Sequence, residues 1–193
     1  EMLYRAGLAM EQKPFAMGVR IEHRQADVDA AQYRALAGHP TLPPSTYKLS
    51  CHLPNGRSAF SFCVCPGGQV VAAASETGRT VTNGMSEYAR SGENINGALL
   101  VNVTAEDFPS PHPLAGIALQ RVEDFLRGAP SAGAGRVTPS YRPGVVYTDM
   151  ARCLPPFIAE TLRLALPVLG KKLKGYDDPD ALLTGVETRS SSP

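Results

Sequence analysis

The sequence lacks a charge excess of either sign: nineteen Lys and Arg stand against eighteen Asp and Glu, a formal net charge of +1. That balance argues against a nucleic-acid or membrane-surface partner recruited by bulk charge. Long apolar runs are missing too. Stretches such as Val70 to Ala74 are far short of the roughly 20 residues a bilayer-spanning helix needs, and no signal-peptide apolar core is present. Together these absences predict a soluble, cytoplasmic chain. The nucleotide-cradling signatures also fail. No Gly-x-Gly-x-x-Gly lies between a strand and a helix, and no Walker-type loop occurs. Neither a Gly-x-Ser-x-Gly elbow nor a His-Glu-x-x-His helix is found, so a self-contained hydrolase has no machinery here.

Cysteines number four, Cys51, Cys63, Cys65 and Cys153, without the paired Cys-x-x-Cys spacing of a zinc site, and the four His show no paired spacing either. No metal is expected. Cys63 and Cys65 sit two apart on an expected strand, which would put both thiols on one side. Burial as small core residues is the simpler reading, and a redox partnership is the alternative.

Gly and Pro are abundant, at eighteen and seventeen residues, well above their combined average share of about 12%, which favours short elements over a long helical bundle. The spacing of Met2, Leu3, Ala6, Ala9 and Met10 predicts a helix that Lys13-Pro14 stops. From Phe15 to His23 the pattern alternates. Phe15, Met17, Val19 and Ile21 share one face and Arg20 and Glu22 the other, as in a half-buried strand. A short helix is expected over 27–36. Strands over 47–53 and 58–65 flank Pro54-Asn55-Gly56-Arg57, whose Asn-Gly suits a tight hairpin turn. Pro66-Gly67-Gly68 reads as a plain turn into a further strand of the same meander over 69–74. Residues 99–103 add a strand, 114–126 read as one helix or two helical pieces, and 128–143 as coil. Asp149 can cap a helix and Pro155-Pro156 can open another. Asp177 to Asp180 form a turn before an extended run over 184–188.

The expected fold is therefore α+β: an antiparallel or mixed β-sheet, or a partly open barrel, with flanking helices. It is sheet-rich over 13–104 and helix-rich over 113–183. The chain starts at Glu1 without an initiator Met and stops at Pro193, so it reads as a segment of a longer polypeptide.

Candidate chemistry is sparse. His23 beside Glu22 suits acid/base work, although a surface histidine at a strand end explains the pair more simply. Two polar clusters offer ligand-grade groups, Thr82-Asn83-Gly84-Met85-Ser86 and Glu187-Thr188-Arg189-Ser190. A turn at Asn83-Gly84 can present backbone N–H groups, and Arg189 can make a bidentate contact to a carboxylate or phosphate. Both clusters also read as solvated turn and tail. No catalytic residue is assigned.

Four blocks together carry a resemblance: Lys13-Pro14-Phe15-Ala16-Met17-Gly18-Val19-Arg20-Ile21-Glu22-His23, Ser61-Phe62-Cys63-Val64-Cys65-Pro66-Gly67-Gly68, Val81-Thr82-Asn83-Gly84-Met85-Ser86 and Leu182-Leu183-Thr184-Gly185-Val186-Glu187-Thr188-Arg189. Spread in order over nearly the whole chain, they resemble a family of uncharacterised bacterial FAD-dependent dehydrogenases. The resemblance implies that the chain is the inserted domain of a two-lobed flavoprotein and that its partner is the Rossmann-type FAD-binding lobe of the same polypeptide. FAD would belong to the full-length protein rather than to this segment, which would be inactive alone. The domain would pack over the flavin and shape the pocket for a small-molecule substrate. By position in the motifs, Thr82, Asn83 and Ser86 are the substrate-binding candidates, and Glu187, Thr188 and Arg189 the cofactor-binding candidates at the hinge. One departure stands out: relatives carry roughly twenty more residues, a long-loop length, between the equivalents of Gln120 and Val122. From a different class, the alternative is a non-catalytic module that offers a sheet edge to a protein partner.

Overall fold

A computed structural model describes residues 6–7, 14–73, 80–104, 107, 118–141 and 145–189. Among these residues nine strands and three α-helices follow in chain order: β1 (Phe15–Arg24), α1 (Gln25–Tyr33), β2 (Ser50–His52), β3 (Ser58–Cys65), β4 (Gly68–Ala72), β5 (Thr82–Ser86), β6 (Asn94–Val103), β7 (Ala118–Arg121), α2 (Val122–Arg127), β8 (Val146–Tyr147), α3 (Pro156–Lys172) and β9 (Leu182–Arg189). Seven of the strands form one sheet in the order β2-β3-β6-β1-β9-β7-β8. Its neighbours are antiparallel except β7 and β8. The sheet is open, with β2 and β8 at its edges, and the α+β class stands without a barrel. No helix among the described residues is long and apolar enough to cross a membrane.

The pleat divides the sheet into two unlike faces. Val19 lies opposite Leu99, and Met17 opposite Val101, so these side chains and Ile21 share a face. Against that face α3 lays Ile158, Leu162, Ala165, Leu166 and Leu169, all fully buried. Their spacing of four, three, one and three residues is the stripe a 3.6-residue helix needs to meet a sheet. Each fully buried Leu or Ile adds about 1.5–3 kcal/mol of transfer free energy. Pro156 at the first turn gives α3 a preset φ where no N–H is needed. The opposite face carries Arg20, Glu22, Asn94 and Asn96 together with Ala16, Ala98 and Leu100. β4 and β5, a separate two-stranded sheet, lie over this second face, where a Cβ on Gly84 would come within 2.1 Å of Arg20 Nη1.

Several sequence expectations change here. β1 is buried on both faces, not one: Arg20 and Glu22 are at 0% exposure, because the hairpin covers what alternation alone assigns to solvent. The strand after Pro66-Gly67-Gly68 does not continue the meander. Instead β4 pairs with β5, since the turn at Gly67 (φ +52°) directs it over the sheet rather than along its edge. In the region read as helical over 114–126, Ala118–Arg121 is a strand that pairs with β9, and only Val122–Arg127 is helix; residues 114–117 lie outside the described residues. The expected first helix over 2–10 is also outside them, apart from a turn at residues 6 and 7. Asp149 does act as a cap, accepting from Ala151 N at 3.0 Å, but on a single 3-10 turn, Met150–Arg152.

Candidate functional site

Arg20 is the centre of the polar face. Its position in β1 is fixed on both sides, opposite Ala98 of β6 and Thr184 of β9, while Val19 and Ile21 anchor the strand in the core below. With no water to receive it, the guanidinium is paired in full. Nε donates to Glu187 Oε2 at 3.1 Å and Nη2 to Glu187 Oε1 at 3.2 Å, a bidentate fork that suits the planar shapes of both groups. Nη1 donates to Asn96 Oδ1 and to the Cys63 carbonyl, each at 2.9 Å, and meets Cys65 Sγ at 3.7 Å. Nη2 also reaches Asn83 Oδ1 at 3.4 Å. Burial by itself pushes a guanidinium pKa down, but the Glu187 bonds outweigh it and the pKa of Arg20 is raised, so its positive charge is retained.

Two of the six sequence candidates, Asn83 and Glu187, bond this arginine, and Thr82 joins them through Glu187. Thr82 hydroxyl donates to the Val186 carbonyl at 3.1 Å and to Glu187 Oε2 at 3.4 Å, tying β5 to β9. Asn83 is exposed on the outer side of β5, yet its amide oxygen reaches inward to Arg20 and also accepts from Gly84 N. Glu187 is buried beneath both. Ser86 stands apart at the other end of β5, donating to the Pro66 carbonyl at 2.8 Å. Thr188 is exposed on β9, and the backbone of Arg189 pairs with Ala16. Arg20 and Asn96 were not among the candidates. The one sequence signal for Arg20 is a charged residue between Val19 and Ile21 within a family-like block, which alternation reads as solvent-facing.

Beside this cluster Glu22 is enclosed as well. Asn94 Nδ2 donates to its Oε1 at 3.3 Å, whereas Glu22 Oε2, Asn94 Oδ1, Asn96 Nδ2 and Thr184 Oγ1 have no hydrogen-bond partner among the described residues. Burial raises the Glu22 pKa, against opposing bonds from Ser140 and Asn94. An acid with a raised folded pKa stabilises the fold below its unfolded pKa, and this contribution is lost as pH rises towards the folded value. Glu22→Gln is therefore expected to gain stability relative to the native chain as pH is raised from about 4.5, near the unfolded Glu value. Urea midpoints of both proteins at a series of pH values test this, and a difference that stays flat with pH contradicts it.

Two expectations about single residues are corrected. His23 is not a surface histidine. It is 3% exposed, and Nε2–H donates to the Tyr176 carbonyl at 2.8 Å, while Nδ1 has no partner among the described residues. Burial lowers its pKa, so the ring is held neutral against Tyr47 and Tyr176 as a core residue rather than an acid/base pair with Glu22, whose side chain points to the opposite face. Cys63 and Cys65 do not face the same side: Cys63 is exposed and Cys65 buried, because the β3 register shifts between Phe62 and Cys65. Among the described residues no group of three or more His, Cys, Asp or Glu is placed to hold a metal.

A family model described as "FAD-dependent protein, C-terminal domain-like" matches residues 14–122 and 117–190. The chain belongs to this family. A protein of Clostridium beijerinckii described only as an uncharacterized protein is 42% identical over 214 aligned residues, covering 100% of this chain and 40% of that relative. The chain thus spans about two fifths of the length of the relative it matches. The two matched segments overlap at residues 117–122, the region of β7.

Proposed function

We propose that this FAD-dependent protein domain is the substrate-binding cap of an oxidoreductase, closing over a flavin that the rest of a longer polypeptide holds. The observation that carries the reading is the pairing of β1 with β9. The first and last strands among the described residues are neighbours at the centre of the sheet, with Ala16 opposite Arg189, so the start of β1 and the end of β9 lie side by side. That arrangement suits a domain attached to a second lobe through a two-strand stalk. The Arg20–Glu187 pair and Thr82 bind the stalk strand β9 to the β4–β5 hairpin, which gives a pocket wall and a hinge a common frame.

The described residues fit one wall of a flavin site rather than its holder. Neither the entry to α1 at His23-Arg24-Gln25 nor the entry to α3 at Pro155-Pro156 is a glycine-rich strand-to-helix turn of the kind that cradles a pyrophosphate. FAD, when bound, supplies hydride or electron transfer. In this reading Thr188 and Arg189, with Glu187 beneath them, contact the flavin at the hinge. Thr82, Asn83 and Ser86 set the substrate side, the substrate is a small molecule, and the domain alone turns nothing over.

The test is the absorbance spectrum of the purified full-length protein, with Arg189→Ala beside it. Flavin bands are expected. Loss of the Arg189 contact is expected to weaken flavin binding or turnover about tenfold to a hundredfold, as for a charged hydrogen bond of about 1.5–3 kcal/mol. A full-length protein that stays colourless after added FAD sinks the oxidoreductase reading in favour of a protein-interaction module. An unchanged Arg189→Ala variant removes the hinge assignment alone.

A further inference from the structure

β3 leaves its ladder at one point. Phe62 pairs with Ala98 and Cys65 with Asn96, so β3 has one more residue than β6 between those pairs, and neither Cys63 nor Val64 has a ladder partner there. At this bulge Cys63 adopts a φ of +45°, in the left-handed region that few non-glycine residues occupy. The result separates two thiols that a regular strand would put on one face. Cys63 is exposed, while Cys65 is 8% exposed.

The separation in exposure is not a separation in contact. Cys65 Sγ donates to the Cys63 carbonyl at 3.4 Å, so the buried sulfur lies against the backbone of the residue that carries the exposed one. Burial raises the Cys65 pKa, the Arg20 guanidinium opposes the rise, and the Cys63 thiol adds to it. In an extended chain, residues two apart have Cα atoms about 6.6–7 Å apart, at the upper end of the ~4.4–6.8 Å range that a disulfide spans. A strand ladder would hold them there, but at this bulge no ladder bond fixes the intervening dihedrals.

We propose that Cys63 and Cys65 form a dithiol–disulfide site, with Cys63 the attacking sulfur, Cys65 the resolving sulfur and a small-molecule disulfide the oxidant. In the first step the Cys63 thiolate attacks one sulfur of the oxidant, forms a mixed disulfide and expels one thiolate. In the second, Cys65 loses its proton to solvent and attacks Cys63 Sγ, expelling the second thiolate. Two cysteine thiols are oxidised by two electrons, one external disulfide is reduced to two thiols, and the two cysteine protons end on those products. Arg20 bonds the Cys63 carbonyl and touches Cys65 Sγ, so the redox state of the pair reaches the Arg20–Glu187 fork and, through it, β9. Cys51 and Cys153 are at other places in the fold and serve as internal controls.

The experiment exposes reduced full-length protein to oxidised glutathione at about pH 8, where thiolate is available, then quenches in acid, alkylates the remaining thiols and maps the peptides by mass. The peptide holding residues 63–65 is expected to lose two hydrogens and to take up no alkylating agent. Cys65→Ser and Cys65→Ala are each expected to retain one glutathione on Cys63, which the native protein does not. A native peptide that retains glutathione at Cys63, or that is alkylated at both positions as in untreated protein, overturns the proposal. Mapping the native chain depends on no variant folding and reads no flavin, so its outcome is separate from that of the oxidoreductase reading.

Discussion

Replacing Arg20 by Met is expected to destabilise the domain by about 3–5 kcal/mol, the cost of leaving a buried carboxylate without its partner. The reason lies at Glu187, not in lost attraction alone. In the native fold its two oxygens are taken by Nε and Nη2 of Arg20, and the ion pair is nearly sealed, with side chains 0% and 7% exposed. Removing the cation leaves Glu187 with the Thr82 hydroxyl at 3.4 Å against a full negative charge. The Arg20→Met, Glu187→Leu double variant is expected to recover most of the loss, since a buried ion pair replaced by apolar side chains of similar volume is often neutral or better. Denaturant unfolding of the two variants and the native protein measures this. A double variant no more stable than Arg20→Met would show that the arginine acts through Asn96 and Cys63 instead of through Glu187.

The second large effect is expected at Gly84, where the hairpin crosses the sheet. A Cβ there would stand 2.1 Å from Arg20 Nη1 and 2.2 Å from Asn96 Oδ1. Side-chain ends often swing aside, but this guanidinium is held by Glu187, Cys63 and Asn96 at once. Gly84→Val must therefore lift β4–β5 or break the fork. Overpacking of this kind costs about 1–3 kcal/mol, and here the loss is expected to be local. Hydrogen exchange should quicken across residues 68–72 and 82–86 while α3 amides keep their protection. Gly133→Ala, at a position where a Cβ meets nothing within 4 Å, is the control expected to leave exchange unchanged. Equal loss of protection in α3 would mean that the hairpin is not a separable cover.

The parts of the fold legible in the sequence are those fixed by neighbours along the chain. Asn55-Gly56 specifies the β2–β3 turn, and Gly56 does take φ +77°. Pro155-Pro156 starts α3 where a fixed φ and a missing N–H suit a first turn. Alternation from Phe15 gives β1 and its apolar face. The candidates Thr82, Asn83 and Glu187 came from motif resemblance; the fold brings Asn83 and Glu187 to one arginine and Thr82 to Glu187. Ser86 came from the same reasoning and stands at the far end of β5, because a five-residue strand separates its two ends by more than one side chain can bridge.

What the sequence alone determined is local: the period of each element, the turns that need glycine or proline, and the blocks that resemble one family. The tertiary structure decided what each polar side chain meets. Arg20 and Glu22 fall on one face of β1 and His23 on the other by a rule any reader of the chain can apply, but whether a face meets solvent depends on elements more than 40 residues away, as the 2.9 Å bond from Arg20 to the Cys63 carbonyl illustrates. Strand periodicity cannot reveal that a hairpin folds over the sheet or that β9 returns beside β1, because backbone pairing between distant segments leaves no periodic trace in either one. Burial then turns ordinary surface charges into a fixed ion pair, since a charge withdrawn from water must find its partner within the fold.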